Sequence, residues 1–81
     1  MHYVYILESE IDGSRYTGST DNLKTRLTAH NQHTVKATKA KAPYKILWYC
    51  AFPTKKRTLE FEKYLKTGSG IAFAKKHLLA T

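Results

Sequence analysis

The sequence predicts an α+β domain in which helices flank a three-stranded antiparallel β-sheet, in the order β-β-α-β-α-α. Residues 2–8, HYVYILE, are apolar at both alternating sets of positions, as in a strand that is covered on both faces. Asp12-Gly13 is a strong hairpin signal, which makes residues 15–19 the returning strand. Apolar pairs spaced four residues apart then predict helices before and after a third apolar strand at 44–52.

The first helix is predicted over residues 21–31. Thr20 or Asp21 can cap it, because short polar side chains accept hydrogen bonds from the free N–H groups of a first helical turn. Leu23 and Leu27 lie one turn apart and form an apolar ridge. That ridge predicts the face that packs on the sheet.

The second half of the chain predicts two more helices. Pro53 ends the strand at 44–52, and a helix near 56–66 follows it with Phe61 and Leu65 on one face. Gly68-Ser69-Gly70 is predicted to break the chain before a last, short amphipathic helix. The expected core contacts of this last helix are Ile71, Phe73, Leu78 and Leu79.

One domain, residues 1–81, is expected from the length. A chain of 81 residues is long enough for one hydrophobic core and too short for two. No internal repeat or linker divides it. Residues 32–43 are polar and basic and end at Pro43, so they are predicted to form a mobile loop.

The composition excludes several classes of protein. Apolar residues make up 42% and charged residues 25% of the chain, which argues against intrinsic disorder. The longest apolar stretch, Tyr3–Leu7, is far shorter than the ~20 residues that cross a bilayer. Met1 is not followed by the basic leader of a secretory signal, so a cytoplasmic protein with no membrane partner is expected. Cys50 has no second cysteine to pair with and is expected to be a buried structural thiol.

Positive charge is concentrated in the middle of the chain. The net charge is +8, and the segment Asn22–Leu59 holds nine Lys or Arg and no acidic residue. Such a field favours binding to nucleic acid, although a generally basic soluble surface is the alternative. The expected phosphate contacts are Lys24, Lys36, Lys39, Lys41, Lys45, Lys55, Lys56 and Arg57. Phosphate contacts position a duplex without reading its bases, and no zinc-ligand cluster or recognition helix is recognisable, so weak sequence specificity is expected.

Polar side chains are predicted to meet at one place. An antiparallel hairpin with a two-residue turn puts Tyr5 and Tyr16 on the same face of the sheet. Asn22, Arg26 and His30 recur every four residues and form a polar stripe on the first helix. Taken singly, each has a structural explanation: a packed tyrosine, a solvated arginine, or a histidine near the last carbonyls of a helix. The combination is what indicates a site.

These residues resemble the GIY-YIG nuclease domain. Tyr3-Val4-Tyr5 is followed after ten residues by Tyr16-Thr17-Gly18 and then by Arg26. The segment TLEFEKYLKTGSGIAFAKKHL, residues 58–78, is similar to the later part of small stand-alone bacterial members. The family includes the N-terminal nuclease domain of excinuclease C. The resemblance therefore implies the GIY-YIG fold, hydrolysis of DNA phosphodiester bonds, and a part in DNA repair or processing.

The resemblance also implies a role for each matching residue. The implied catalytic residues are Tyr5, Tyr16, Arg26, His30 and Glu62. Glu62 is the implied ligand of one Mg²⁺ or Mn²⁺, and Arg26 is implied to clamp the phosphate. Tyr16 is the implied general base, and since a free phenol has a pKa near 10 it needs positive charge nearby. Tyr5 or His30 is expected to relay the proton, and Gly18 to let the helix or a phosphate approach closely.

Several alternatives stay open at the level of sequence. Glu60 and Glu62 point about 200° apart on a helix, and periodicity does not choose between them, although the family pattern favours Glu62. Some branches carry Asn twelve residues after the metal carboxylate, where this chain has Ala74. The rival functions are a non-catalytic nucleic-acid-binding module with the same fold, and a catalytic protein that needs a protein partner. RNA is not excluded as a substrate.

Overall fold

The computed structural model describes residues 1–79. The predicted order β-β-α-β-α-α is confirmed, with a short 3₁₀ turn at Lys39–Lys41 before the third strand and a π-helical segment, Ala74–Leu78, after the last helix. The elements are β1 (His2–Ser9), β2 (Arg15–Thr20), α1 (Leu23–Asn31), β3 (Tyr44–Phe52), α2 (Lys55–Leu65) and α3 (Gly68–Phe73).

The three strands form one antiparallel sheet in the order β2-β1-β3. β1 is central, which explains why both of its faces are apolar. Tyr5 pairs with Gly18 and Leu7 with Tyr16. Since side chains alternate along a strand, Tyr5 and Tyr16 lie on the same face, as predicted.

The hairpin turn differs from the expected two-residue turn. Ser9 N–H donates to the Ser14 carbonyl at 2.8 Å, and Gly13 N–H donates to the Ser9 carbonyl at 3.0 Å. The loop is therefore residues 10–13, with Gly13 at its end in the left-handed region at φ 74°. A two-residue and a four-residue loop both make the sum of paired positions odd. The longer loop therefore shifts the register by two residues but leaves each side chain on the predicted face of the sheet.

Helices cover the two faces of the sheet separately. On one face, Val4 and Ile6 pack against Leu65 and Ala74, with Phe61 beside them. On the other face, the α1 ridge of Leu23 and Leu27 packs against Tyr5 and Leu7, as predicted. Cys50, expected to be buried, is half-buried on the α2 face, and burial raises the pKa of its thiol.

The last helix begins earlier than predicted. The Thr67 hydroxyl accepts a hydrogen bond from Gly70 N–H at 3.0 Å, so the expected chain break is instead the first turn of α3. Gly70 is required there because a Cβ would collide with the Tyr64 carbonyl oxygen. Ile71, an expected core contact, is 47% exposed, and Ala74 is buried in its place.

The segment predicted to be a mobile loop is fastened to the sheet at several points. Asn31 exchanges two hydrogen bonds with the backbone of Tyr44, at 3.2 and 2.7 Å. Thr38 is 1% exposed, and the Ser9 hydroxyl donates to the Lys41 carbonyl at 2.7 Å. These contacts hold residues 32–43 against the end of α1 and the hairpin.

Candidate functional site

β2 is an edge strand, so side chains from the two layers of helices can meet around its free edge. α1 presents Arg26 and His30 on one side of the sheet, and α2 presents Glu62 on the other. β2 itself carries Tyr16, Gly18 and, on the opposite face, Ser19. The sequence-predicted residues are thus gathered around one strand.

Tyr5 and His30 form a buried chain of hydrogen bonds that ends at Thr38. The Tyr5 hydroxyl lies 2.9 Å from His30 Nε2, and His30 Nδ1 lies 2.7 Å from Thr38 Oγ1. Thr38 Oγ1 also donates to the Val35 carbonyl at 3.5 Å, and the donor in each bond to the His30 ring depends on which ring nitrogen carries the proton.

The charge states follow from burial. Burial, followed by the positive charge of Arg26, lowers the pKa of His30. Burial raises the pKa of Tyr5 and outweighs the opposing effect of Arg26. Both side chains are therefore neutral at pH 7, and with exposures of 2% for Tyr5 and 0% for His30 they do not reach solvent. The proton relay expected of Tyr5 or His30 from the sequence remains a prediction.

The Tyr5 side chain packs directly against Gly18. A Cβ at position 18 would lie 2.5 Å from Tyr5 Oη and 3.1 Å from Tyr16 Cε2. The group that approaches Gly18 is therefore the Tyr5 hydroxyl, and neither the helix nor a phosphate is needed to explain the glycine. The Tyr16 ring also packs against His30, with 5.3 Å between ring centres.

Asn22 and Arg26, two members of the predicted polar stripe, have different roles. Asn22 is the N-cap of α1, where Thr20 or Asp21 was expected, and its Oδ1 accepts from Thr25 N–H at 3.0 Å. Arg26 Nε is buried and has no hydrogen-bond partner within residues 1–79. Leaving such a donor unpaired costs roughly 1–3 kcal/mol.

Arg26 lines a cleft of about 320 Å³ that runs between α1, the end of β2 and the start of α2. Ser19 lies in the same cleft, together with Lys55 and Thr58. The cleft therefore combines a guanidinium, an ammonium and hydroxyl groups with one carboxylate, that of Asp21, and the two cations outnumber it.

Glu62 is held at the far side of β2 by two donors. The Ser19 hydroxyl donates to Oε1 at 2.6 Å, and Lys66 Nζ donates to Oε2 at 2.8 Å. Burial raises the pKa of Glu62, but the hydrogen bonds from Lys66 and Ser19 outweigh it, so the pKa falls below its ordinary value and the carboxylate is ionised. Glu60, by contrast, is exposed and lines a surface hollow with Phe52 and Arg57. Of the two carboxylates, Glu62 is the one beside β2.

Lys66 and Ser19 are the residues that the sequence analysis missed. Lys66 Nζ lies 5.9 Å above the ring centre of Tyr16 while it pairs with Glu62, so it joins the tyrosine to the carboxylate. The i, i+4 spacing of Glu62 and Lys66 is an ordinary helical ion-pair signal that could have revealed the contact. Ser19 is 43 residues from Glu62, and no local pattern predicts that pair.

The basic side chains expected to contact phosphates are all exposed, but they are not equivalent. Lys55 lines the Arg26 cleft. Lys41 pairs with Asp12 at 3.2 Å and Lys45 with Glu8 at 3.6 Å, both near the hairpin end of the sheet. Contact with nucleic acid remains a prediction for the whole set, which also includes Lys24, Lys36, Lys39, Lys56 and Arg57.

The donor set fits a hard cation with few protein ligands. Residues 1–79 contain no group of three or more His, Cys, Asp or Glu side chains that could surround a metal ion. Glu62 supplies one ionised carboxylate, with the Ser19 hydroxyl oxygen beside it. Mg²⁺ is bound in this way when it keeps several waters and takes further oxygens from a phosphate. A metal at Glu62 would compete with Lys66 for Oε2.

The chain belongs to the GIY-YIG family, because residues 1–71 match the GIY-YIG catalytic domain. It therefore has a nuclease-type fold. Within the described part of the chain, no helix is long and apolar enough to cross a membrane.

The individual relatives are small bacterial proteins. The UPF0213 protein CPE1444 of Clostridium perfringens is 40% identical over 67 residues, which are 82% of this chain and 71% of the relative. A UPF0213 protein of Bacillus licheniformis is 39% identical over 66 residues, or 80% of this chain and 67% of the relative. The solution NMR structure of the UPF0213 protein BH0048 from Bacillus halodurans has a TM-score of 0.57 and 32% identity, covering 93% of this chain and 82% of that one.

Proposed function

We propose that this protein is a metal-dependent endonuclease that hydrolyses DNA phosphodiester bonds, with weak sequence specificity, in DNA repair or processing. The observation that carries the proposal is the buried, unpartnered Nε of Arg26 in a basic cleft beside the Ser19–Glu62 pair. A phosphate oxygen is the acceptor that such a donor lacks. A cytoplasmic location, expected from the sequence, remains a prediction.

Arg26 is proposed to bind the scissile phosphate. Its planar guanidinium can donate two parallel hydrogen bonds to phosphate oxygens and does not lose its charge at working pH. Lys55, in the same cleft, adds a second cation for the neighbouring phosphate. Both side chains then stabilise the charge that builds up on the nonbridging oxygens in the transition state.

Tyr16 is proposed as the general base. In hydrolysis a water oxygen attacks phosphorus, one ester P–O bond breaks, and Tyr16 Oη in its deprotonated form accepts a proton from the attacking water. Tyr5 and His30 pack against the Tyr16 ring and keep its orientation. The Lys66 ammonium above the ring is an electrostatic partner for negative charge there.

Glu62 is proposed to hold one Mg²⁺ or Mn²⁺ through its ionised carboxylate. Such an ion supplies Lewis-acid stabilisation of the leaving oxygen when bound. Ser19 keeps the carboxylate oriented toward the free edge of β2. No second polar ligand comes from position 74, because Ala74 is buried in the core at 6% exposure.

The proposal is tested by incubating linear, nicked and branched DNA with the protein and Mg²⁺. Glu62→Ala and Arg26→Ala should each abolish metal-dependent cleavage. Glu60→Ala is the matched control, since it removes a carboxylate from the exposed side of the same helix, and it should cleave like the wild type. Cleavage that survives Glu62→Ala but fails in Glu60→Ala would contradict the metal assignment. RNA of the same shapes, added as a separate arm, shows whether it is also cut.

A second candidate function is a nucleic-acid-binding module that does not cleave. It is favoured by one observation, the occupation of both Glu62 oxygens by Ser19 and Lys66. Binding of DNA without cleavage in Mg²⁺ or Mn²⁺ would support it. Cleavage that appears only after a cell extract is added would instead support a catalytic protein that needs a protein partner.

A further inference from the structure

The Lys66 ammonium stands where a divalent cation would have to bind. Its Nζ lies 2.8 Å from Glu62 Oε2, while the other carboxylate oxygen already accepts from Ser19. An ammonium and a divalent cation repel each other strongly at such short range. The two therefore compete for this carboxylate.

Lys66 can move without disturbing the fold. Its side chain is 51% exposed, compared with 18% for Glu62, and it is attached to the last turn of α2 by a flexible four-carbon stem. Exposed i, i+4 ion pairs contribute little to stability, so breaking this one costs little. Glu62, in contrast, is held in place by Ser19.

A cavity next to Lys66 provides space for its side chain to move into. A cavity of about 540 Å³ lies beside it and is lined by Tyr16, Arg15, Lys75 and an apolar floor. Without a bound anion, the positive charges of Arg15 and Lys75 make this cavity unfavourable for the Lys66 ammonium. A phosphate of a bound strand reverses that balance, because it attracts the ammonium away from Glu62.

Resting on the proposed function, we propose that Lys66 is a built-in placeholder for the metal: its ammonium holds Glu62 in the metal-free protein and transfers to the phosphate backbone when DNA binds. Lys66 is then a positioning residue that couples two binding events. By linkage, DNA that draws Lys66 away raises the affinity of Glu62 for the cation by the same factor as the cation raises the affinity for DNA. The metal ion then binds together with the DNA, so the protein without DNA holds little metal for cleavage.

The first measurement is Mn²⁺ binding to the protein alone, by electron paramagnetic resonance or calorimetry. Lys66→Met, which keeps the length of the stem and removes the charge, should bind Mn²⁺ severalfold more tightly than the wild type, the gain that the loss of a weak competing ion pair allows. Lys66→Arg should retain the weak affinity. Lys63→Met, an exposed residue of the same helix, controls for the loss of one positive charge and should change the affinity much less.

The second measurement repeats the titration with a short duplex in a Tyr16→Phe background that leaves the DNA uncut. DNA should raise the Mn²⁺ affinity of the Lys66 protein severalfold and that of the Lys66→Met protein much less. Equal Mn²⁺ affinities for Lys66→Met and wild type, or no binding by either, would overturn the inference. If Mn²⁺ binding is unchanged by Glu62→Gln, the metal lies elsewhere, and it is the proposed function that has failed.

Discussion

Tyr5 and Gly18 face each other across β1 and β2, and the Tyr5 hydroxyl occupies the space into which a side chain at position 18 would project. The same hydroxyl is hydrogen-bonded to His30 Nε2 at 2.9 Å, and the His30 ring packs against the Tyr16 ring. One missing Cβ thus allows a buried residue of the central strand to set the position of the proposed general base. The glycine is needed for space and not for a left-handed backbone, since its φ lies outside that region.

Gly18→Ala should therefore destabilise the protein by about 1–3 kcal/mol, as overpacking does in a filled core. Thermal unfolding measures the effect. Gly68→Ala is the matched control, because no atom lies within 4 Å of its Cβ position and alanine suits a helix. In a Tyr5→Leu background the penalty at position 18 should shrink, since both contacted atoms of Tyr5 are gone: the hydroxyl oxygen and the ring carbon Cζ, which would lie 2.7 Å from the added Cβ. A penalty that is unchanged in that background would contradict the steric explanation.

The stability of the fold should decrease as the pH falls below about 6.5. Burial and the charge of Arg26 hold the pKa of His30 below its ordinary value of 6.5, so in this range the unfolded chain binds a proton that the folded state does not. Stability is therefore fully present above pH 6.5 and is lost toward the lower pKa of the folded state. The melting temperature of His30→Gln should depend less on pH between 7.5 and 5. An NMR titration in which the wild-type His30 ring protonates above pH 6.5 would contradict the assignment.

Arg26→Met should retain or raise stability while it removes function. The substitution deletes a buried donor that has no partner within the described residues, which relieves up to about 1–3 kcal/mol. DNA affinity should fall at least tenfold, and cleavage should be abolished. Arg57→Met, an exposed residue of α2, removes the same charge and should weaken binding far less. A large loss of stability in Arg26→Met would show that the guanidinium is structural.

Tyr16→Phe should bind DNA like the wild type and lose roughly 10²–10⁴-fold in cleavage rate, the usual contribution of a general base. Single-turnover cleavage and a binding titration separate the two effects. Tyr49→Phe, on a 55% exposed side chain of β3, is the control and should leave both unchanged. Cleavage by Tyr16→Phe at the wild-type rate would rule out the phenol as base.

The basic residues should contribute unequally to DNA binding. Lys55 lies in the cleft with Arg26, whereas Lys41 is paired with Asp12 at the hairpin end. Lys55→Ala should lower affinity and reduce the salt dependence of binding by about one phosphate contact, and Lys41→Ala should change both less. Binding measured from 50 to 200 mM salt tests the difference. Equal slopes for the two variants would place the DNA across the whole basic surface.

The local pattern of the chain determined much of this fold. Apolar residues on both faces of HYVYILE predicted the central strand, and apolar pairs on the helices predicted the ridges that pack on it. The common face of Tyr5 and Tyr16 also followed from sequence, because alternation in an antiparallel pair depends only on the parity of the loop. Short-range periodicity carries this information, since each element is built from neighbours in the chain.

Tertiary structure alone decided how the site is assembled. The four-residue loop set the register that puts Gly18 against Tyr5, and packing of α1 on the sheet buried His30. The contact of Ser19 with Glu62 joins residues 43 positions apart and settles which of two helical carboxylates lies beside β2. Such contacts depend on how whole layers dock around an edge strand, and no spacing within a single element contains that information.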